Sequence, residues 1–164
     1  MADRLLAERL QPSLLDRLTD DAPRSVAEAN SGRMIDVARL REIIQRDLAW
    51  VLNTSNMEAE HDLTLYPNVA ASVLNYGIPA LSGSVSTRNR AGEIRQALRK
   101  AIEAFEPRIL PQTLQIAMRE DGGSGTVISF DIRGELWAEP VPVDLYLRTA
   151  LDVTNGEITV ARQV

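Results

Sequence analysis

Apolar residues recur at helical spacing in two long stretches of the chain and at every second position near its C-terminal end. In the longer helical stretch Ile94, Leu98, Ala101, Ile102 and Phe105 share one side, while Arg95, Gln96, Arg99, Lys100 and Glu103 take the other. Earlier, Asp36 is placed to cap a helix running through Asn53. Its buried stripe would be Val37, Leu40, Ile44, Leu48 and Val51, flanked by Ile43 and Trp50, and both Trp50 and Phe105 are expected in the core. Leu14, Leu15 and Leu18 predict a short docking helix after Pro12. Residues 19–33 are polar and without period, which predicts a linker. A loop over 54–66 precedes a short helical turn from Asn68 through Leu74, and Gly77, Pro79 and Gly83 keep the next stretch irregular.

After Pro111 the period falls to two. Leu114, Ile116 and Met118 alternate with polar residues, and Ile128, Phe130 and Ile132 do so beyond the turn signal of Gly122, Gly123 and Gly125. Pro140 and Pro142 interrupt the chain before Val143, Leu145 and Leu147, and Asn155-Gly156 marks a turn into Ile158 and Val160. Helices followed by consecutive strands predict an α+β fold, with N-terminal helices packed on one face of a C-terminal antiparallel sheet of three or four strands. The expected division is a helix and polar linker over 1–33 and a single domain over 34–164.

Composition narrows the function. At 164 residues the chain is long enough for one substantial core. It contains no cysteine, which excludes disulfides and thiolate metal sites and makes the cytoplasm the expected compartment. There are 23 acidic and 18 basic residues, giving a formal charge of −5, which disfavours nucleic acid as a partner. No apolar run reaches the ~20 residues of a membrane span, so direct membrane insertion is not expected.

The candidate site is the end of the second long helix. Pro107 pushes Glu106 out of the helical region and stops the helix, so Glu106 and Arg108 flank a rigid corner. An exposed ion pair there would contribute only ~0–1 kcal/mol. A muramidase would need a second carboxyl group facing the same sugar bond and a protonated acid, and an arginine beside Glu106 favours the charged carboxylate instead. His61 with Glu58, Glu60 and Asp62 suggests solvated loop acids rather than a metal site, and Gly122-Gly123-Ser124-Gly125 lacks the Lys-Ser/Thr of a phosphate loop. No cofactor, metal or catalytic residue is expected.

Four blocks in order, Leu14-Leu15-Asp16-Arg17-Leu18, Leu48-Ala49-Trp50-Val51-Leu52-Asn53-Thr54, Ser72-Val73-Leu74-Asn75-Tyr76-Gly77-Ile78-Pro79 and Phe105-Glu106-Pro107-Arg108-Ile109, resemble the TssE family. These are baseplate subunits of type VI secretion systems, related to wedge proteins of contractile phage baseplates and often labelled lysozyme-like. Ser55 and Ala80 depart from the family pattern, which often has arginine and aspartate there. The resemblance implies a noncatalytic wedge subunit that joins TssF, TssG and TssK to the sheath proteins TssB and TssC, with muramidase as the alternative. It also implies cytoplasmic residence with recruitment to the inner-membrane apparatus. Glu106 and Arg108 would bind a partner, and Pro107 would serve as the structural corner. A sheet edge, expected within 143–151 or 158–160, would accept a sheath strand.

Overall fold

The computed structural model describes residues 13–19, 23–24, 35–81, 87–119, 127–138 and 141–162. Helix α1 (Leu14–Leu18) is followed by α2 (Val37–Leu52), the single turn α3 (Pro67–Ala70) and α4 (Thr87–Phe105). Asp36 caps α2 as expected, its carboxylate accepting from the Arg39 N–H at 2.7 Å. The predicted stripes become the core: Leu40, Ile44, Leu48 and Val51 of α2 pack with Ile94, Leu98, Ala101 and Ile102 of α4. Trp50 does not join them. It is 49% exposed, because at ~100° per residue it stands nearly opposite Leu48, and its ring lies 4.8 Å beneath the Arg46 guanidinium instead. Phe105 is half-buried and meets Tyr76 with ring centroids 5.0 Å apart.

The turn expected from Asn68 starts one residue earlier, with Pro67 at the first helical position, and breaks at Ser72, whose hydroxyl caps a separate 3-10 turn over Val73–Asn75. The segment is tied to the end of α2. Ile78 N–H donates to the Thr54 carbonyl and Asn56 N–H to the Ile78 carbonyl, both at 2.9 Å. Gly77 sits between them at φ 115°, where a Cβ would fall 2.1 Å from the Thr54 oxygen, so only glycine fits.

Strands β1 (Gln115–Met118), β2 (Val127–Leu136), β3 (Val143–Asp152) and β4 (Ile158–Arg162) form one antiparallel sheet in chain order. The fold is α+β, with helices on one face. Period two explains the burial: Ile128, Phe130, Ile132 and Leu136 of β2 face the helices together with Val143, Leu145, Leu147 and Leu151 of β3. Gly156, at φ 78°, makes the last turn, and the glycine turn after β1 lies outside the described residues. The linker reading of 19–33 also falls almost wholly outside them. Residues 143–151, expected as a possible edge, belong to β3, whose residues 147–151 lie between β2 and β4, while among the described residues 143–146 pair with β2 alone.

The two edges of the sheet differ. Along β4, α2 presents residues spaced by four and eight on one face. Asn53 donates its amide to the Ile158 carbonyl and accepts from the Ile158 N–H, both at 2.8 Å. Gln45 donates to the Val160 carbonyl at 2.9 Å, and Arg41 forks onto the Asp144 carbonyl of β3 at 2.9 and 3.1 Å. The second expected edge, 158–160, is therefore largely sealed by side chains. On β1 the ladder bonds run through the residues opposite Arg133, Asp131 and Ser129, so Ile116 and Met118 turn their backbone groups outward. Arg99 covers only the Leu114 carbonyl there, at 2.6 Å, and among the described residues the outward groups of Ile116 and Met118 stay open.

Leu48 and Ile102 are both 0% exposed at the centre of the α2–α4 contact. Leu48→Ala and Ile102→Ala should each lower stability by about 2–5 kcal/mol in chemical denaturation. A near-neutral value for either would contradict this packing.

Candidate functional site

The last α4 bond reaches Glu106, whose N–H donates to the Ile102 carbonyl at 2.9 Å. Pro107 offers no N–H to continue, and the chain swings onto the end of β2. There the Arg108 carbonyl accepts from Trp137 N–H at 2.7 Å and Leu110 N–H donates to the Glu135 carbonyl at 2.9 Å, pairing Ile109 with Leu136. The corner is thus stitched to the sheet on one side and to α4 on the other.

Its charges are not the exposed pair that an isolated helix end would make. Glu106 is 3% exposed, and both of its oxygens accept from Arg108, from Nε and Nη2 at 2.5 Å each. Arg108 Nη2 also donates to Asp47 Oδ2 at 2.6 Å, which carries the network onto α2. Burial works against the Arg108 charge, but the hydrogen bonds and charges of Glu106 and then Asp47 outweigh it and hold its pKa above the ordinary value. Tyr76 borders the same group, its pKa pushed up by burial and further by the charges of Asp47 and Glu106.

The network continues to α1. Arg46 donates from Nε and Nη2 to Asp47 Oδ1 at 2.9 and 2.7 Å, and from Nη1 and Nη2 to the two oxygens of Asp16 at 2.6 and 3.1 Å. Ser13 contributes its hydroxyl to the Asp16 carboxylate. The Arg46 hydrogen bonds, aided by Ser13, overcome desolvation and hold Asp16 at about 2. Five alternating charges therefore run from Glu106 through Arg108, Asp47 and Arg46 to Asp16. Of these, sequence reasoning named only Glu106 and Arg108. Asp47 was detectable in principle, since it shares the helical phase of Leu40, Ile44 and Val51, and an acid in a buried stripe calls for a partner.

The residues around His61 have separate, local tasks. Glu58 binds Lys100 and the buried Asn75, and Asp62 caps Thr64. Among the described residues no group of three or more histidines and acids is arranged to hold a metal.

The fold and corner define a small α+β module with a charge cluster, buried at Glu106 and partly exposed beyond it, where α2, α4 and β2 meet. The chain belongs to the family described as "Baseplate wedge protein gp25", whose model matches residues 38–141. That span contains three of the four sequence blocks that resemble TssE, and the match fits a TssE-like baseplate protein. A solved structure named "putative tail lysozyme" from Geobacter sulfurreducens aligns with 18% identity and a TM-score of 0.45, over 68% of this chain and 89% of that one. Comparison with curated proteins finds no match.

Two outcomes follow from the charge cluster. Arg108→Gln leaves Glu106 buried without its cation, and stability should fall by about 2–4 kcal/mol, somewhat less than for a wholly buried pair because Arg108 touches solvent. Adding Glu106→Gln should recover part of that loss in the same denaturation experiment, since it removes the stranded charge. Second, because Asp16 titrates at about 2 when folded and near 3.8 without these contacts, its stabilising contribution is complete above that ordinary value and disappears as pH falls through about 2. Carboxyl ¹³C titration should show this low midpoint and its return toward ~3.9 in Arg46→Gln.

Proposed function

We propose that this chain is a noncatalytic structural subunit of a type VI secretion baseplate, joining the wedge to the first layer of the contractile sheath and helping to initiate sheath assembly. The observation that carries this reading is the baseplate wedge family match, which spans α2, the Glu106 corner, β1 and β2. In this reading TssF, TssG and TssK are the wedge partners and TssB and TssC the sheath partners. The protein works in the cytoplasm and is recruited to the inner-membrane apparatus. Among the described residues no helix is long and apolar enough to cross a membrane.

The geometry supports a division of labour. Arg108 uses Nε and Nη2 for Glu106 and Asp47, leaving the two N–H groups of Nη1 for a partner acceptor. Glu106 orients that guanidinium, and Pro107 fixes where it points. The open edge of β1 is the place for an incoming sheath strand, in contrast to the side-chain-covered edge of β4. A noncatalytic role is supported by the state of the acids. Glu106 is buried with both oxygens engaged, and Asp47 is held between two arginines, so neither is presented to a sugar as a proton donor.

Co-purification with each proposed partner, together with a sheath-assembly assay, tests the reading. Met118→Pro removes an outward N–H from β1 without touching its ladder to β2, and it should abolish sheath initiation while retaining the folded domain. Arg108→Ala should weaken wedge binding by about 2–5 kcal/mol, compared at a temperature where the variant is still folded. Full sheath initiation by Met118→Pro would overturn strand addition at β1, and unchanged wedge binding by Arg108→Ala would remove the corner from the interface. Peptidoglycan turnover above that of heat-inactivated protein would establish the muramidase alternative instead.

A further inference from the structure

We infer that the docking of α1 is coupled to the Glu106 corner through Asp47, so that a contact drawing on Arg108 loosens the N-terminal helix. Helix α1 is five residues long and buries none of them, and Leu14, Leu15 and Leu18 are 69%, 49% and 73% exposed. A helix so short has little stability of its own. Its side-chain tie to the body among the described residues is the Asp16–Arg46 fork. Two positions follow, docked on Arg46 or released, and the release equilibrium is the two-state element that a distant site can bias.

The bias comes from shared donors and acceptors. Arg46 Nη2 gives one N–H to Asp47 Oδ1 at 2.7 Å and the other to Asp16 Oδ2 at 3.1 Å, so the two acids share one positive charge and a shift of the guanidinium toward either lengthens its bond to the other. Asp47 in turn divides its oxygens, Oδ1 to Arg46 and Oδ2 to Arg108. When Arg108 neutralises Asp47, Arg46 is left to Asp16. When Arg108 is removed or drawn away, the uncompensated Asp47 pulls Arg46 toward itself and repels Asp16, and α1 lets go. The signs alternate along the chain of charges. Neutralising Glu106 frees more of Arg108 for Asp47 and must tighten α1, an effect opposite to general destabilisation.

The coupling exists in the isolated protein and does not require that the corner bind a baseplate partner. If the corner does bind one, as proposed above, that contact changes how α1 displays its leucines.

The absence of cysteine and the presence of only two tryptophans make the test direct. In a Trp137→Phe background, a nitroxide on Leu18→Cys quenches Trp50 fluorescence when α1 is docked beside Arg46, and Asp16→Asn supplies the released reference. Arg108→Gln should raise the released-to-docked ratio about 3- to 10-fold, and Glu106→Gln should lower it. In an Asp47→Asn background the effect of Arg108→Gln should vanish, which identifies Asp47 as the carrier. Circular dichroism at the same temperature confirms that each variant is folded. Equal quenching in wild type, Arg108→Gln and Glu106→Gln, or an Arg108→Gln effect that persists without the Asp47 charge, overturns the coupling. The partner reading would then stand or fall separately on co-purification.

Discussion

Arg108 lies between two carboxylates that reach it from different parts of the chain, Glu106 beside it and Asp47 on α2. Without that guanidinium a glutamate that is 3% exposed would sit uncompensated in a poorly solvated place, which a marginally stable domain tolerates badly. Its main chain does separate work, since the Arg108 carbonyl accepts from Trp137 at the end of β2. One residue thereby sets three elements against each other: α4, which ends just before it, β2, which holds its backbone, and α2, which supplies Asp47. The register of the apolar stripes follows, because α2 must bring Asp47 to the corner while it lays Leu40, Ile44, Leu48 and Val51 on the core.

The same placement of α2 determines how the β4 side of the sheet is covered. A helix across one face cannot by itself protect an edge strand; that takes polar side chains that reach the exposed backbone groups. Asn53 satisfies both groups of Ile158, and Gln45 and Arg41 take the carbonyls of Val160 and Asp144. On the opposite side, among the described residues, Arg99 covers only the Leu114 carbonyl. Among the described residues the β4 side of the sheet is thus more fully covered than the β1 side, and the cover comes from three polar residues of α2.

Much of this fold was legible in the sequence where the determinants are local. Asp36 as a cap, the stripes of α2 and α4, the alternation of β2 and β3 and the turn at Asn155-Gly156 each depend on residues within a turn or two of one another. The site was half legible. Pro107 announces the corner, but the burial of Glu106 and the reach of Arg108 to Asp47, 61 positions away, carry no local pattern. Edge sealing failed for the same reason, because Asn53 and Ile158 are 105 positions apart and alternation alone cannot tell an interior strand from an edge. Trp50 was misplaced because an aromatic residue beside an apolar stripe reads as core, whereas its phase faces away and its ring serves the charged Arg46.

If the corner binds a partner, as proposed above, its balance of charge restricts what can dock there. Three acids and two arginines alternate from Asp16 to Glu106, leaving the cluster one unit negative although Arg108 is its most accessible donor toward the corner. A partner carboxylate approaching Nη1 would gain a charge-assisted bond but would also meet the repulsion of Glu106 and Asp47 across a poorly screened distance. A neutral carbonyl accepts from the same N–H groups without that penalty, and a partner backbone supplies carbonyls at fixed spacing. The cluster is therefore better matched to an exposed peptide carbonyl, or to one carrying a nearby cation, than to an acidic side chain. In that reading the pairing which makes Glu106 tolerable in the folded protein would also direct Arg108 toward neutral acceptors.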